Sequence, residues 1–105
     1  DTFKRVGVFA SGLGKKAFVL GGKNLDRLGP LLKQLEQPSI TFSVPSEPSI
    51  PLILEGLNQA KTSGCDFVIA MGGGSVLDAG KAIAALMTNP GEPLDYLEVV
   101  GKGQP

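Results

Sequence analysis

Asp66-Phe67-Val68-Ile69-Ala70-Met71-Gly72-Gly73-Gly74-Ser75-Val76-Leu77-Asp78-Ala79-Gly80-Lys81-Ala82-Ile83-Ala84 joins an apolar run to three glycines and then to a second apolar stretch. Residues 66–71, one polar residue followed by five apolar ones, have the pattern of a strand covered on both faces, as central strands of parallel sheets are. From Val76 to Met87 the chain is apolar almost all round, with Ala79, Ala82, Ala84 and Ala85 small enough for close approach to a sheet, which predicts a buried helix. Strand, glycines and helix in this order set the unpaired N–H groups and the positive end of a helix beside residues that lack Cβ. That is the arrangement of an anion site at the carboxyl end of a strand, where open α/β sheets bind ligands. Ser75 is expected to cap the helix and to offer its hydroxyl to an anion.

Against this stands the reading in which the glycines only turn the chain, but a turn needs one glycine and three cost more conformational entropy. Two common nucleotide motifs are missing. Lys81 is not adjacent to the loop, so G-x-x-x-x-G-K-[ST] is not formed, and G-x-G-x-x-G does not follow the first strand. Asp78 and Lys81 sit three and six residues past Ser75. They can form an i, i+3 ion pair, with the carboxylate favoured near the helix N-terminus, or serve a ligand beside the loop.

Working outward, Lys15-Lys16-Ala17-Phe18-Val19-Leu20, between Gly14 and Gly21-Gly22, reads as a buried strand. Leu25, Leu28, Leu31, Leu32 and Leu35 then recur at helical spacing. Asn24 is one candidate cap, and Gly29 with Pro30 in the first turn is the other. Residues 39–44 alternate polar and apolar as a second strand. Ser49 caps a helix over about residues 50–62, with Pro51 in its first turn and Gly64 as the left-handed residue past its end.

The order strand, helix, strand, helix, strand, helix predicts an α/β fold, a parallel sheet of about three strands with right-handed crossovers, or half of a doubly wound domain. In the first dozen residues Phe3, Val6, Phe9, Ala10 and Leu13 fit a helix, the favoured reading, and Val6-Gly7-Val8-Phe9 fits a strand. Beyond Asn89-Pro90-Gly91, the apolar Leu94, Tyr96, Leu97, Val99 and Val100 show no clear period, so no closing element is expected there.

The chain has 105 residues, 42% of them apolar and 19% charged, which predicts a single packed domain with a small core. Ten basic and ten acidic residues cancel, leaving no electrostatic footprint for nucleic acid or an anionic membrane. No apolar stretch is long enough to span a bilayer. Cys65 is the one cysteine, so no internal disulfide forms, and a cytoplasmic setting is expected. Histidine is absent, which removes the commonest general base and transition-metal ligand and excludes Ser-His-Asp and Cys-His nucleophile constellations.

The run Val68–Ala84 resembles the GGGS-x-x-D-x-x-K signature of the iron-containing, or group III, alcohol dehydrogenases, relatives of glycerol dehydrogenases and maleylacetate reductases. Residues 44–49, Glu55-Gly56-Leu57 and Ser63-Gly64-Cys65-Asp66 are similar to that family as well, and the likeness covers most of residues 15–102. It implies a Rossmann-like fold of the dehydroquinate synthase-like N-terminal kind. Gly73, Gly74 and Ser75 would contact the pyrophosphate of NAD or NADP, and Asp78 would face the nicotinamide side. The family's iron or zinc is held by Asp and His residues of a second, helical domain that these 105 residues do not include, so no metal ligand and no catalytic residue is expected here. A further nucleotide-contacting strand after Pro105 and a strand pair before the first helix are missing by the same comparison. The family often carries an acidic residue after the first strand that binds the adenosine ribose. Gly22, followed by Lys23, stands at that place, which predicts tolerance of NADP.

Two other readings stay open. One is a non-catalytic nucleotide-binding or self-associating module that uses open sheet edges. The other is a flavodoxin-like or sugar-phosphate-binding domain holding a single phosphate.

Overall fold

The computed structural model describes residues 14–87 and 95–99. Over these, β1 (Ala17–Gly21), β2 (Ser39–Ser43), β3 (Phe67–Met71) and β4 (Asp95–Val99) form one all-parallel sheet in the order β2-β1-β3-β4. A 3-10 turn (Leu25–Leu28) and three helices, α1 (Gly29–Gln34), α2 (Ile50–Thr62) and α3 (Gly74–Met87), make the crossovers. The expected element within residues 3–13 lies outside the described residues.

The two central strands account for the core. Residues 17–20 of β1 and 67–70 of β3 are fully buried, as continuous apolar runs in a doubly covered parallel sheet should be. Phe18, Leu20, Val68 and Ala70 point to one face, against α2 and α3, where Ala60, Val76, Ala79 and Ile83 meet them. Ala17, Val19, Phe67 and Ile69 point to the other, against Leu28 and Leu31. Each large side chain buried this way contributes about 1.5–3 kcal/mol relative to exposure.

Local signals placed the helices. Of the two candidate caps Asn24 acts and Gly29 does not: the Asn24 Oδ1 accepts the Asp26 N–H at 3.0 Å to open the 3-10 turn, whereas α1 starts at Gly29 itself, after Leu28, with Pro30 in its first turn. The Ser49 hydroxyl accepts the Leu52 N–H at 3.2 Å to cap α2, and Gly64, at φ 75°, ends it. Asp66 has a structural task that the sequence did not announce. Its carboxylate accepts the Lys15 and Lys16 N–H groups at 2.9 Å, tying the start of β1 to the start of β3.

Three expectations are corrected. The sheet has four strands, because residues 95–99 pair with β3 from Phe67↔Asp95 to Met71↔Val99. With Tyr96 packed towards α3 and Leu97 towards the α1 face, consecutive residues are both apolar, which erased the period-two pattern. Second, α3 is not buried all round. Val76, Ala79, Gly80, Ile83 and Ala84 are buried, but Asp78, Lys81, Ala85 and Leu86 are exposed. Its outer apolar residues line a shallow groove with Ile50, Ile53 and Leu54 of α2. Third, α3 begins at Gly74, so Ser75 lies inside the first turn and does not cap it.

Candidate functional site

The chain leaves β1 towards one face of the sheet, through the 3-10 turn and α1, and leaves β3 towards the other, through α3. Between these neighbours the direction of winding reverses, and parallel α/β sheets open a crevice at such a point beyond the strands' carboxyl ends. The β1–β3 ladder runs in register to Leu20 and Ala70, two residues short of Gly22 and Gly72. The two glycine-marked ends therefore border the same crevice.

The three loop glycines have different reasons. Gly72, at φ 156°, has a backbone conformation that L side chains rarely adopt, and a Cβ there would stand 2.9 Å from a Val76 methyl. The turn itself thus requires it. Gly73 and Gly74 are exposed, and a Cβ on either would meet no atom of the described residues within 4 Å. The fold's own packing asks for neither to be glycine, so what their bareness provides is an unobstructed backbone.

That backbone has hydrogen bonds to give. The Gly73 carbonyl accepts the N–H groups of Val76 and Leu77, each at 3.1 Å, which starts the helix. Among the described residues no acceptor faces the N–H groups of Gly74 and Ser75, or the Ser75 hydroxyl. Exposed first-turn amides at the positive end of a fourteen-residue helix attract an anion. Gly22 is the matching feature across the crevice. A Cβ added to it would also meet nothing within 4 Å among the described residues, Lys23 beside it is exposed, and its carbonyl is held by the Ser43 hydroxyl at 2.9 Å.

Asp78 and Lys81 do not form the ion pair that their spacing permits. The Lys81 Nζ lies 3.1 Å from Glu98 Oε1 on β4, while Asp78 is exposed one turn along α3 from the loop. Beside them is a group that sequence reasoning missed, Tyr96. Its hydroxyl donates to the Leu77 carbonyl at 3.0 Å and lies 3.4 Å from Glu98 Oε1. Burial pushes the Tyr96 hydroxyl well above the ordinary tyrosine range, and the charges of Glu98 and Asp78, with the contact to Glu98, push the same way. The available signal was Gly80, a bare position on α3 that makes room for a ring.

Among the described residues no three His, Cys, Asp or Glu side chains are grouped so as to hold a metal ion, and the whole chain contains no histidine. Cys65 is buried, its Sγ 3.6 Å from the Ala17 carbonyl, and burial raises its thiol above the ordinary range. It belongs to the core.

The family model of the iron-containing alcohol dehydrogenases matches residues 1–105. The chain belongs to that family. "Probable alcohol dehydrogenase EutG" of Salmonella typhimurium is 42% identical over 72 residues, spanning 65% of this chain and 18% of the relative. Among solved structures, a 1,3-propanediol oxidoreductase superposes with a TM-score of 0.77 at 28% identity, covering 83% of this chain and 25% of that one. The NADH-dependent butanol dehydrogenase A of Thermotoga maritima gives 0.69 at 27% identity, with 87% and 25% covered. The chain thus spans about a fifth to a quarter of the length of those relatives.

Proposed function

We propose that this chain supplies the dinucleotide-binding part of a metal-dependent alcohol dehydrogenase that passes hydride between an alcohol and NAD or NADP. The observation that carries the reading is the bare backbone of Gly73 and Gly74, with the Gly74 and Ser75 amides unpartnered among the described residues, set at the mouth of the β1–β3 crevice. A nicotinamide dinucleotide fits these residues. Its pyrophosphate would take the Gly74 and Ser75 amides and the Ser75 hydroxyl, its adenosine end would lie towards Gly22, and Asp78 would face the nicotinamide side. When bound, the nicotinamide supplies the hydride chemistry. The protein's share is to neutralise and orient the phosphates.

Iron is a different matter, because no donor set for it lies among the described residues and the sequence has no histidine, and no step through a metal is derived from these residues. We place the metal and the alcohol pocket in a separate domain of a full-length relative, and assign no catalytic residue here.

The test is fluorescence titration with NADH and NADPH. Binding of either, lost on Gly74→Val, supports the reading, and retention of affinity in Gly74→Val sinks it. Gly22 and Lys23 motivate a finer expectation, tolerance of the 2′-phosphate of NADP. Gly22→Asp, for which the crevice has room, should then lower the affinity for NADPH relative to NADH by tenfold or more. A wild-type chain that strongly prefers NADH would refute that tolerance. A mononucleotide bound more tightly than either dinucleotide would favour the single-phosphate alternative.

A second reading, a non-catalytic module that associates through its sheet edges, draws on β2 and β4, each paired on one side only among the described residues. Sedimentation over a concentration series distinguishes it.

A further inference from the structure

We propose that Tyr96 is a positioning residue for the anion-binding end of α3, holding the helix's first turns against the sheet so that the Gly74 and Ser75 amides keep their aim. The inference rests on the dinucleotide reading above and goes beyond it by adding a residue outside the loop.

Three observations converge. Tyr96 lies on β4, paired with Val68 of β3, on the face that α3 covers. Its hydroxyl donates to the Leu77 carbonyl, three residues beyond the Gly74 that opens the helix. And α3 is bare where the ring passes: a Cβ on Gly80 would lie 3.0 Å from the Tyr96 ring and 2.8 Å from Ala70 Cβ, so only glycine lets the helix seat on β3 with the ring beside it.

The neighbouring charges bias where the proton goes. A phenol has one hydrogen to give, and two acceptors are near, the Leu77 carbonyl at 3.0 Å and Glu98 Oε1 at 3.4 Å. Lys81 engages that same Glu98 oxygen at 3.1 Å, and the Tyr96 hydrogen goes to the shorter of its two contacts, the Leu77 carbonyl. Residues from α3 and β4 thus fix one bond between them. Its effect at the loop is leverage, because a first turn free to tilt would spread its amides over more directions than one phosphate can satisfy.

Tyr96→Phe keeps the ring beside Gly80 and removes only the hydroxyl. Amide NMR spectra of the ligand-free full chain should show the Gly74, Ser75 and Leu77 signals moving in the variant while Gly22 stays in place. Titration with inorganic pyrophosphate, followed on the same signals, should show about a fivefold weaker affinity, the scale of one lost hydrogen bond. Wild-type spectra that ignore pyrophosphate would overturn the dinucleotide reading, with the ligand-free spectra still testing the Tyr96 link. Wild-type binding with equal affinity in Tyr96→Phe would overturn the inference alone, as would changes that spread to Gly22 and β1, the mark of a merely structural role.

Discussion

Gly73 and Gly74 show how a single missing Cβ is read. At Gly72 the backbone conformation demands glycine, but at the next two positions nothing among the described residues would touch an added Cβ. Gly74→Val should therefore leave the melting temperature within a few degrees of wild type while weakening NADH binding at least tenfold, because the valine would stand where a phosphate must approach. Calorimetry and titration of one sample check both halves. Gly80 gives the opposite result. Alanine there would press on Ala70 Cβ at 2.8 Å, and the overpacking should cost about 1–3 kcal/mol in chemical denaturation.

Tyr96 carries a prediction in pH. Its folded-state value is raised above the ordinary 10.0, so the folded chain resists losing the phenolic proton that the unfolded chain gives up. The contribution is complete below pH 10 and is lost as pH rises from there towards the raised folded value. Wild type should therefore lose stability more steeply above pH 10 than Tyr96→Phe, measured as denaturation midpoints across that window. Parallel slopes would show that the hydroxyl is not held as described.

At the scale of elements, what was legible was what is local. Ser49 with Pro51 announced α2, and its cap is where the sequence put it, so Ser49→Ala should cost about 1 kcal/mol of stability by urea denaturation. The apolar runs of β1 and β3 announced central strands because both faces of each are covered. The loop glycines and Ser75 could be singled out because the motif is contiguous in sequence. What could not be read depends on partners far along the chain. β4 exists through its ladder with β3, and its Tyr96 and Leu97, buried towards opposite faces, give no alternation. Lys81 finds Glu98 and not Asp78 because β4 lies beside α3 in space. The outer face of α3 looked like core because its exposed residues include Ala85 and Leu86, and composition cannot say which side of an apolar helix is covered.

At the scale of the whole chain, which belongs to the iron-containing alcohol dehydrogenases, the two glycine turns gather at one end of the sheet. Gly22 and the Gly72–Ser75 loop lie at the carboxyl ends of adjacent strands, whereas Asp66 fastens the opposite end with its carboxylate on two successive amides. No member of the described charged set needs burial, since no polar or charged residue there is fully buried. Among the described residues no helix is long and apolar enough to cross a membrane. The exposed apolar residues Ile50, Leu54 and Leu86 follow the α2–α3 groove, away from the glycine loop, so the most apolar surface and the proposed anion site are separate features.

The parallel arrangement governs how this shape can be acquired. Ala17 must find both Ser39 and Phe67, and Phe67 must find Asp95, so each strand pairing among the described residues closes a long segment and none of them is a hairpin. The nascent chain then carries two fully apolar strand sequences that stay without neighbours until a crossover helix has docked. Renaturation from urea should accordingly be slow for a domain of this size, and its yield should fall as protein concentration rises, because an unmatched β1 or β3 segment meets another molecule before its own distant partner.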